Sequence, residues 1–377
     1  MNSHIPVAIV GGGASGLFAG SILGKKALIL ERGDKCGRKL LLTGGGRCNY
    51  THASTLPELL DHYNGNKRFI SHALYSFTPD DIISFFSKLG IEPKEEENGK
   101  IFPLNKDSYD VVSALEKRSC IETNTYVLNI KKEDKFIITT NKGTMNSDYL
   151  ILSVGGNSYP HTGSDGNGYK LASSLGHKIT PLKPALAPLA LNVDMSKAEG
   201  ITIPLTIKIK KKEYTGSTVI TRKGISGPLA EDISYMISDN EDITIKFIDI
   251  DFKELRQKNG KSLMKNALMI PERLSIALLE DLANKRIADI SKKEELYIEE
   301  RLCALRCKAK ALQAGAMSTH GGVDIRELDP KTMESKLIEG LYLVGDIVDV
   351  DANCGGYSLT WAFASSYIAS HNILKSL

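Results

Sequence analysis

The chain has 377 residues, 42% of them hydrophobic and 25% charged, with a formal net charge of +3. That length favours two domains over a single core, and the composition is that of a globular chain rather than a disordered or fibrous one. The small net charge excludes a strong electrostatic footprint for nucleic acid, and every apolar run stops well short of the ~20 residues that cross a bilayer.

The N-terminus, MNSHIPVAIVGGG, lacks a basic region, a long apolar stretch and a cleavage site, so a cytoplasmic location is expected. Residues 5–10, IPVAIV, read as a buried parallel strand, and LFAGSILG continues at helical spacing after Gly11-Gly12-Gly13-Ala14-Ser15-Gly16. This is G-x-G-x-x-G with a strand before it and a helix after it. Gly11 suits the tight turn, Gly13 a close approach to pyrophosphate, and Gly16 close packing of helix on strand. The helix start, with Ala14 and Ser15, supplies amides and dipole for phosphate charge. A second strand, ALILE, ends in Glu31, twenty positions after Gly11, where a carboxylate can accept both hydroxyls of an adenosine ribose. A dinucleotide is therefore expected.

Next come the basic pair Arg38-Lys39 and the loop Thr43-Gly44-Gly45-Gly46-Arg47-Cys48-Asn49. Three consecutive glycines cannot hold a helix, so this loop is made for close backbone approach, beside the pyrophosphate or the ring system of the cofactor. The segments GGGASGLFAG and LILERGDKCGRKLLLTGGGRCNYT resemble the N-terminus of the HI0933-like flavoproteins, a family that includes aminoacetone-oxidase-like and BaiN-like NAD(P)/FAD-dependent oxidoreductases. The resemblance implies FAD as cofactor and assigns it Gly11, Gly13, Ala14, Ser15, Gly16, Glu31, Arg38, Lys39, Thr43, Gly45, Arg47, Cys48 and Asn49.

Residues 121–140 and 144–154 read as β-rich, with a turn at Asn141-Lys142-Gly143. By likeness to flavoproteins with two dinucleotide sites, Val127 is placed at the adenine. DYLILSVGG then returns the chain to the cofactor at Gly155. Gly163-x-x-Gly166-x-Gly168 follows a proline loop rather than a strand, so it is not a second nucleotide fingerprint, and NAD(P)H is expected only as a transient donor.

Period-two alternation marks 188–250 as β-rich and barrel-like, and IKIKKKEY within it reads as a strand with one solvated lysine face. The stretch TGSTVITRKGISGPLAEDIS matches the family's pattern except that Arg222 stands where a histidine is usual. Residues 261–310 switch to helical spacing, with Pro271 placed to start a helix. The expected architecture is α/β: a discontinuous, glutathione-reductase-like Rossmann domain of 1–187 and 315–377, with an inserted substrate domain of 188–314.

The block from Ala314 onward resembles the family's C-terminus almost without a gap. GLYLVGD is a strand ending in Gly345-Asp346, which the resemblance places at the ribityl hydroxyls of FAD. Cys354-Gly355-Gly356-Tyr357 opens the last helix, whose amides can face the flavin's pyrimidine edge. The six cysteines (36, 48, 120, 303, 307 and 354) form no CxxC and no metal-ligand set, so no metal is expected.

For catalysis the candidates are His161, in a Gly/Pro-rich loop, and Cys354; Tyr159, His320 and Tyr357 also fall near the expected flavin. Three activities are compatible with this pattern. The first is reduction of a conjugated alkene or ketone, small or steroid-like, with NAD(P)H. The second is oxidation of an amine, and the third is tRNA modification by an RNA-binding flavoprotein, which the modest charge disfavours. The expected partner is a small-molecule substrate, with no membrane and no nucleic acid, and homo-oligomerisation stays open.

Overall fold

The computed structural model describes residues 3–96 and 98–377. The chain divides into two compact units, one of the residues through Lys183 with Met317–Leu377, the other Pro184–Ala316.

The first unit is built on a seven-stranded sheet. Strand β1 (Ser3–Val10) lies near its centre, and Val7, Ala8 and Ile9 are fully buried, which is why this run is apolar without alternation. Helix α1 (Ala14–Leu23) crosses to β2 (Ala27–Leu30), which pairs parallel with β1. Strand β3 (Cys120–Glu122) extends that edge, parallel to β2. Strands β4 (Val127–Lys132), β5 (Phe136–Thr140) and β6 (Gly143–Leu152) form an antiparallel meander.

Strand β6 has two roles. Residues Gly143–Ser147 pair antiparallel with β5, and Leu150–Leu152 pair parallel with β7 (Leu341–Leu343), while its other edge lies along β1. The C-terminal segment thereby enters the same sheet as the N-terminal strand. Helix α2 (Tyr357–Ser376) closes the unit. It is buried along much of its length, with Trp361, Phe363, Ala364 and Ile373 in the same core as Phe18 of α1.

The second unit has its own core around a closed six-stranded barrel. In barrel order its strands are Leu189–Leu191, Gly224–Ser226, Lys212–Thr221, Thr202–Ile209, Glu241–Lys246 and Leu305–Ala311, and the last closes onto the first. The strand Thr202–Ile209 alternates buried isoleucines and leucine with exposed Lys208, as expected of a solvated lysine face. Pro271 does precede a helix, Glu272–Leu279.

The reading of 261–310 as wholly helical is corrected here: the last helix ends at Cys303, and Leu305–Ala311 is a strand. Its alternation, LRCKAKA, buries every second residue, and a charged helix immediately upstream masked that signal. Closure of the barrel leaves no free edge, which is the physical reason the sixth strand returns from beyond the helices.

Among the described residues no helix is long and apolar enough to cross a membrane. None of the six cysteines is in a disulfide, and no cluster of metal-ligating side chains occurs among the described residues.

Candidate dinucleotide and flavin site

The glycine turn between β1 and α1 has the geometry that its sequence implies. Gly11 adopts φ +97°, a conformation that side chains oppose, and a Cβ there would lie 2.7 Å from the carbonyl of Ser153. A Cβ on Gly16 would fall on the carbonyl of Gly11 and 2.7 Å from Ser153 Oγ. Gly13 differs, because a Cβ there would meet nothing within 4 Å and its φ of −76° is open to any residue. Nothing in the protein itself requires glycine at 13. The space in front of it is where a pyrophosphate would approach the first amides of α1.

Glu31 stands just past β2 and is held toward this turn. Its Oε2 accepts the amide of Gly12 at 2.7 Å and its Oε1 accepts that of Gly33 at 2.6 Å. Each oxygen keeps a second lone pair, so ribose hydroxyls can still donate. Arg38 converges on the same place, for its Nη1 and Glu31 Oε1 both lie 3.1 Å from a Cβ built on Gly33. The amide of Thr125 bonds to the carbonyl of Glu31 at 2.9 Å, which sets buried Val127 two residues from the acid's main chain.

Expected outcome: Glu31→Ala weakens FAD by about 2 kcal/mol, the scale of hydrogen bonds to a charged group, and leaves FMN retention less affected because FMN lacks the adenosine. Titration of the apoprotein with each flavin measures the difference.

The C-terminal block docks against the glycine turn. Gly345 takes φ +72°, and a Cβ there would overlap Ser15 of α1. Its amide donates to Ser365 Oγ at 3.1 Å and its carbonyl accepts Trp361 Nε1 at 3.2 Å, so α2 clamps it. Lys39 links three segments distant in sequence, with Nζ 2.9 Å from Asp346 Oδ2 and 2.8 Å from Ser158 Oγ. Arg32 makes a parallel link to the loop after β6, bonding Asp165 at 3.0 Å and the carbonyl of Gly163 at 2.9 Å. Gly155, in that loop, has φ +73° with Ser164 Oγ 3.1 Å from a Cβ.

The second glycine loop folds as Leu40–Gly46, with Gly44, Gly45 and Gly46 all at positive φ and open space in front of Gly45 and Gly46. Thr43 Oγ1 donates to the carbonyl of Leu40 at 2.6 Å, closing its own turn. Asn49 approaches the start of α2: a Cβ on Gly356 would lie 2.9 Å from its Oδ1. That oxygen is buried with no hydrogen-bond partner among the described residues. A buried, unpaired acceptor is costly. Together with the open cradles at Gly13, Gly45 and Gly46, it fits the requirements of a bound flavin dinucleotide.

Four residues singled out in the sequence have the following surroundings. Arg47 places its guanidinium 2.7 Å from Glu96 and 4.1 Å from the Phe102 ring, and so is already engaged by an acid and an aromatic face. Cys48 is fully buried, and burial pushes its thiol up to about 12, so its backbone rather than its sulfur faces the loop. His161 sits exposed in the short turn Pro160–Thr162, edge-on to Tyr159 at 5.5 Å, with no framework that fixes it for proton transfer. Cys354 is half-buried, is in no disulfide, and leads into Gly355.

Tyr357, at the start of α2, stacks on His62 at 4.2 Å and on His52 at 4.9 Å, and its carbonyl accepts Tyr63 Oη at 2.7 Å. Burial lowers both imidazoles below their ordinary value near 6.5, and their mutual repulsion adds to this for His62. The folded state therefore favours neutral rings. Their contribution is fully present above about 6.5 and is lost as pH falls from there through the depressed folded-state values. Expected outcome: the melting temperature and flavin retention decline below about pH 6.5, and His62→Gln removes part of that decline, as thermal melts across pH would show.

His177 presents a different case. It is buried, with Nδ1 2.8 Å from Glu327 and Nε2 2.9 Å from Ser335 Oγ. The order suggests a hydrolytic triad, but that hydroxyl oxygen also accepts the amides of Leu337 and Ile338 at 3.0 and 3.1 Å, and so serves as a turn cap.

Comparison with known proteins identifies the family. The model of the HI0933-like protein Rossmann domain matches residues 5–372. A Haemophilus influenzae protein named ribosomal RNA dihydrouridine synthase is 29% identical over 405 residues, covering 100% of both chains. A Clostridium scindens protein named 3-dehydro-bile acid delta(4,6)-reductase is 29% identical over 406 residues, covering 96% of this chain and 97% of its own. Among solved structures, 3-ketosteroid delta1-dehydrogenase from Sterolibacterium denitrificans aligns with TM-score 0.54 at 12% identity, over 100% of both chains, a likeness of fold. The chain belongs to the HI0933-like family, whose members are flavin-dependent oxidoreductases built on a Rossmann domain.

Proposed function

We propose that the protein is an FAD-dependent reductase of a carbon–carbon double bond conjugated to a carbonyl in a small molecule, with NAD(P)H as a transient electron donor. The observation that carries this reading is near full-length similarity to the bile acid reductase. The substrate in that relative's name, a 3-dehydro compound reduced at delta(4,6), is a conjugated unsaturated ketone.

The chain's residues divide the work of holding the cofactor. The amides of Gly11 to Gly16 and the start of α1 would receive the pyrophosphate, with Glu31 and Arg38 at the ribose and Val127 toward the adenine. Lys39 and Asp346 would meet the ribityl chain, and Asn49 and the amides at Gly355-Gly356-Tyr357 would meet the flavin's polar edge. Bound there, FAD supplies hydride transfer, while the protein sets orientation and electrostatics. A helix N-terminus near the pyrimidine edge favours negative charge on a reduced ring.

The test is anaerobic spectroscopy. The flavin bands of the holoenzyme are expected to bleach with NADH or NADPH and to recover when an unsaturated ketone such as 2-cyclohexen-1-one is added without oxygen. Rapid recovery in air with no effect of the ketone would instead identify an oxidase.

A second reading is favoured by the two relatives named ribosomal RNA dihydrouridine synthase, from Haemophilus influenzae and, at 28% identity, Escherichia coli. Uracil also carries a double bond conjugated to a carbonyl, so the chemistry would be shared and only the substrate would differ. Salt-sensitive retention of RNA and recovery of the reduced flavin by RNA would support it.

A further inference from the structure

One titratable pair that is not assigned to the cofactor is built into the same framework. His320 ends the short strand Ser318–His320, and its Nδ1 lies 2.7 Å from Oδ1 of Asp351. Asp351 is nearly sealed, with 2% of its side chain exposed, whereas the histidine side chain keeps 32%. The other carboxylate oxygen accepts Asn64 Nδ2 at 2.9 Å. Both oxygens are thereby occupied, which fixes the plane of the carboxylate and the orientation of the ring. With an acceptor opposite Nδ1, that nitrogen carries hydrogen, and Nε2 is the position where a proton can come and go.

Two contacts and one chain connection set this pair on the cofactor side of its unit. Thr319 Oγ1 accepts the amide of Asn157 at 2.7 Å, in the loop that leaves β6 beside the glycine turn. A Cβ on Gly322 would lie 2.6 Å from the carbonyl of Ile347, the residue after Asp346. Asp351 itself lies three residues before Cys354, on the approach to Gly356 and Asn49.

We propose that His320, oriented by Asp351, is the proton donor of the reductive reaction, delivering hydrogen to the substrate carbon adjacent to the carbonyl. The proposal rests on the reductase reading given above. Hydride arrives at the β-carbon from the reduced flavin, and the double-bond pair shifts toward the carbonyl oxygen as an enolate. The α-carbon of that enolate then takes the proton from Nε2. The product has gained two C–H bonds and lost one C=C π bond, the flavin is left oxidised, and the neutral imidazole recovers its proton from water.

The charged groups around the ring suit this role. The hydrogen bond to Asp351 is the largest influence and raises the imidazole above its ordinary value; the charges of Asp351 and Asp349 act in the same direction. Burial and the charge of Lys183 oppose them. The donor thus keeps its proton to higher pH than a free imidazole, and its loaded fraction falls as pH rises through the raised value.

The test uses the holoenzyme reduced with dithionite under nitrogen and mixed with 2-cyclohexen-1-one or 4,6-androstadiene-3,17-dione. The wild-type flavin is expected to reoxidise at a rate that falls with rising pH through the pKa of His320, read independently from its imidazole NMR signals. His320→Gln is expected to slow this step about 10²-fold or more, the usual contribution of a general acid, with FAD content and dithionite reduction unchanged. Asp351→Asn should lower both the NMR value and the pH break.

Reoxidation of His320→Gln at the wild-type rate overturns the proposal and leaves the reductase reading intact. An NMR pKa below the ordinary value near 6.5 does the same. Should the variant fail to hold FAD, the wild-type profile decides, and absence of a break at the His320 pKa overturns the proposal. A wild-type flavin that neither ketone reoxidises overturns the reductase reading and the proposal with it.

Discussion

Valine at Gly13 is expected to abolish FAD binding while leaving the apoprotein folded, whereas valine at Gly16 is expected to prevent folding. The two glycines lie three residues apart in one motif, yet they serve different partners. A Cβ at Gly13 meets no protein atom within 4 Å, so the fold loses only what a poor N-cap costs, about 1 kcal/mol. The cofactor, however, loses the space that its pyrophosphate needs. At Gly16 a Cβ would overlap the Gly11 carbonyl and lie 2.7 Å from Ser153 Oγ, both of them parts of the sheet's end. Overpacking of this kind costs ~1–3 kcal/mol where side chains can yield, and more where, as here, the obstacle is backbone. Flavin absorbance after purification and a thermal melt of the apoprotein separate the two effects. A yellow Gly13→Val protein would place the pyrophosphate elsewhere.

Gly356→Ala is expected to raise the FAD dissociation constant by two orders of magnitude or more and to lower the melting temperature. The residue caps α2 at φ +95°, where a side chain costs roughly 1–2 kcal/mol. Its Cβ would also lie 2.8 Å from the carbonyl of Thr51 and 2.9 Å from Asn49 Oδ1. Relief requires the helix start to move away from Asn49, and this separates the two features that would face the flavin's polar edge. Titration of apoprotein with FAD, beside the same titration for Gly345→Ala, measures the loss. An unchanged affinity would show that the start of α2 does not meet the flavin.

Local features of the cofactor unit were legible because their causes are local. A strand, a glycine turn, a helix and an acid at fixed spacing require one another, so Gly11, Gly16 and Glu31 occupy the positions that their spacing implies. The alternation of Thr202–Ile209 likewise shows its solvated face directly. The strand Leu305–Ala311 was equally periodic, but it follows a charged helix and pairs with residues more than a hundred positions earlier, so it read as part of that helix.

Side-chain direction was less legible. Arg47, beside three glycines, is assigned to FAD by the family resemblance, and the structure pairs its guanidinium with Glu96 and sets it over the face of Phe102. Cys48 looked like a loop residue, yet its positive φ turns the thiol into the core. His161 had an attractive loop but, among the described residues, no hydrogen-bond partner that orients it, whereas His320 has Asp351.

By itself the sequence determined the dinucleotide turn, the family and the discontinuous α/β architecture, because each depends on spacing within a few dozen residues or on long matching blocks. Only the tertiary structure decided which charges meet. Lys39 reaches Asp346 across 307 positions, Arg32 reaches Asp165 across 133, and Asn64 reaches Asp351 across 287. No periodicity encodes such pairs. The first of them exists because β6 pairs with β1 along one edge and with β7 along the other, which carries the last sixty residues back onto the first forty.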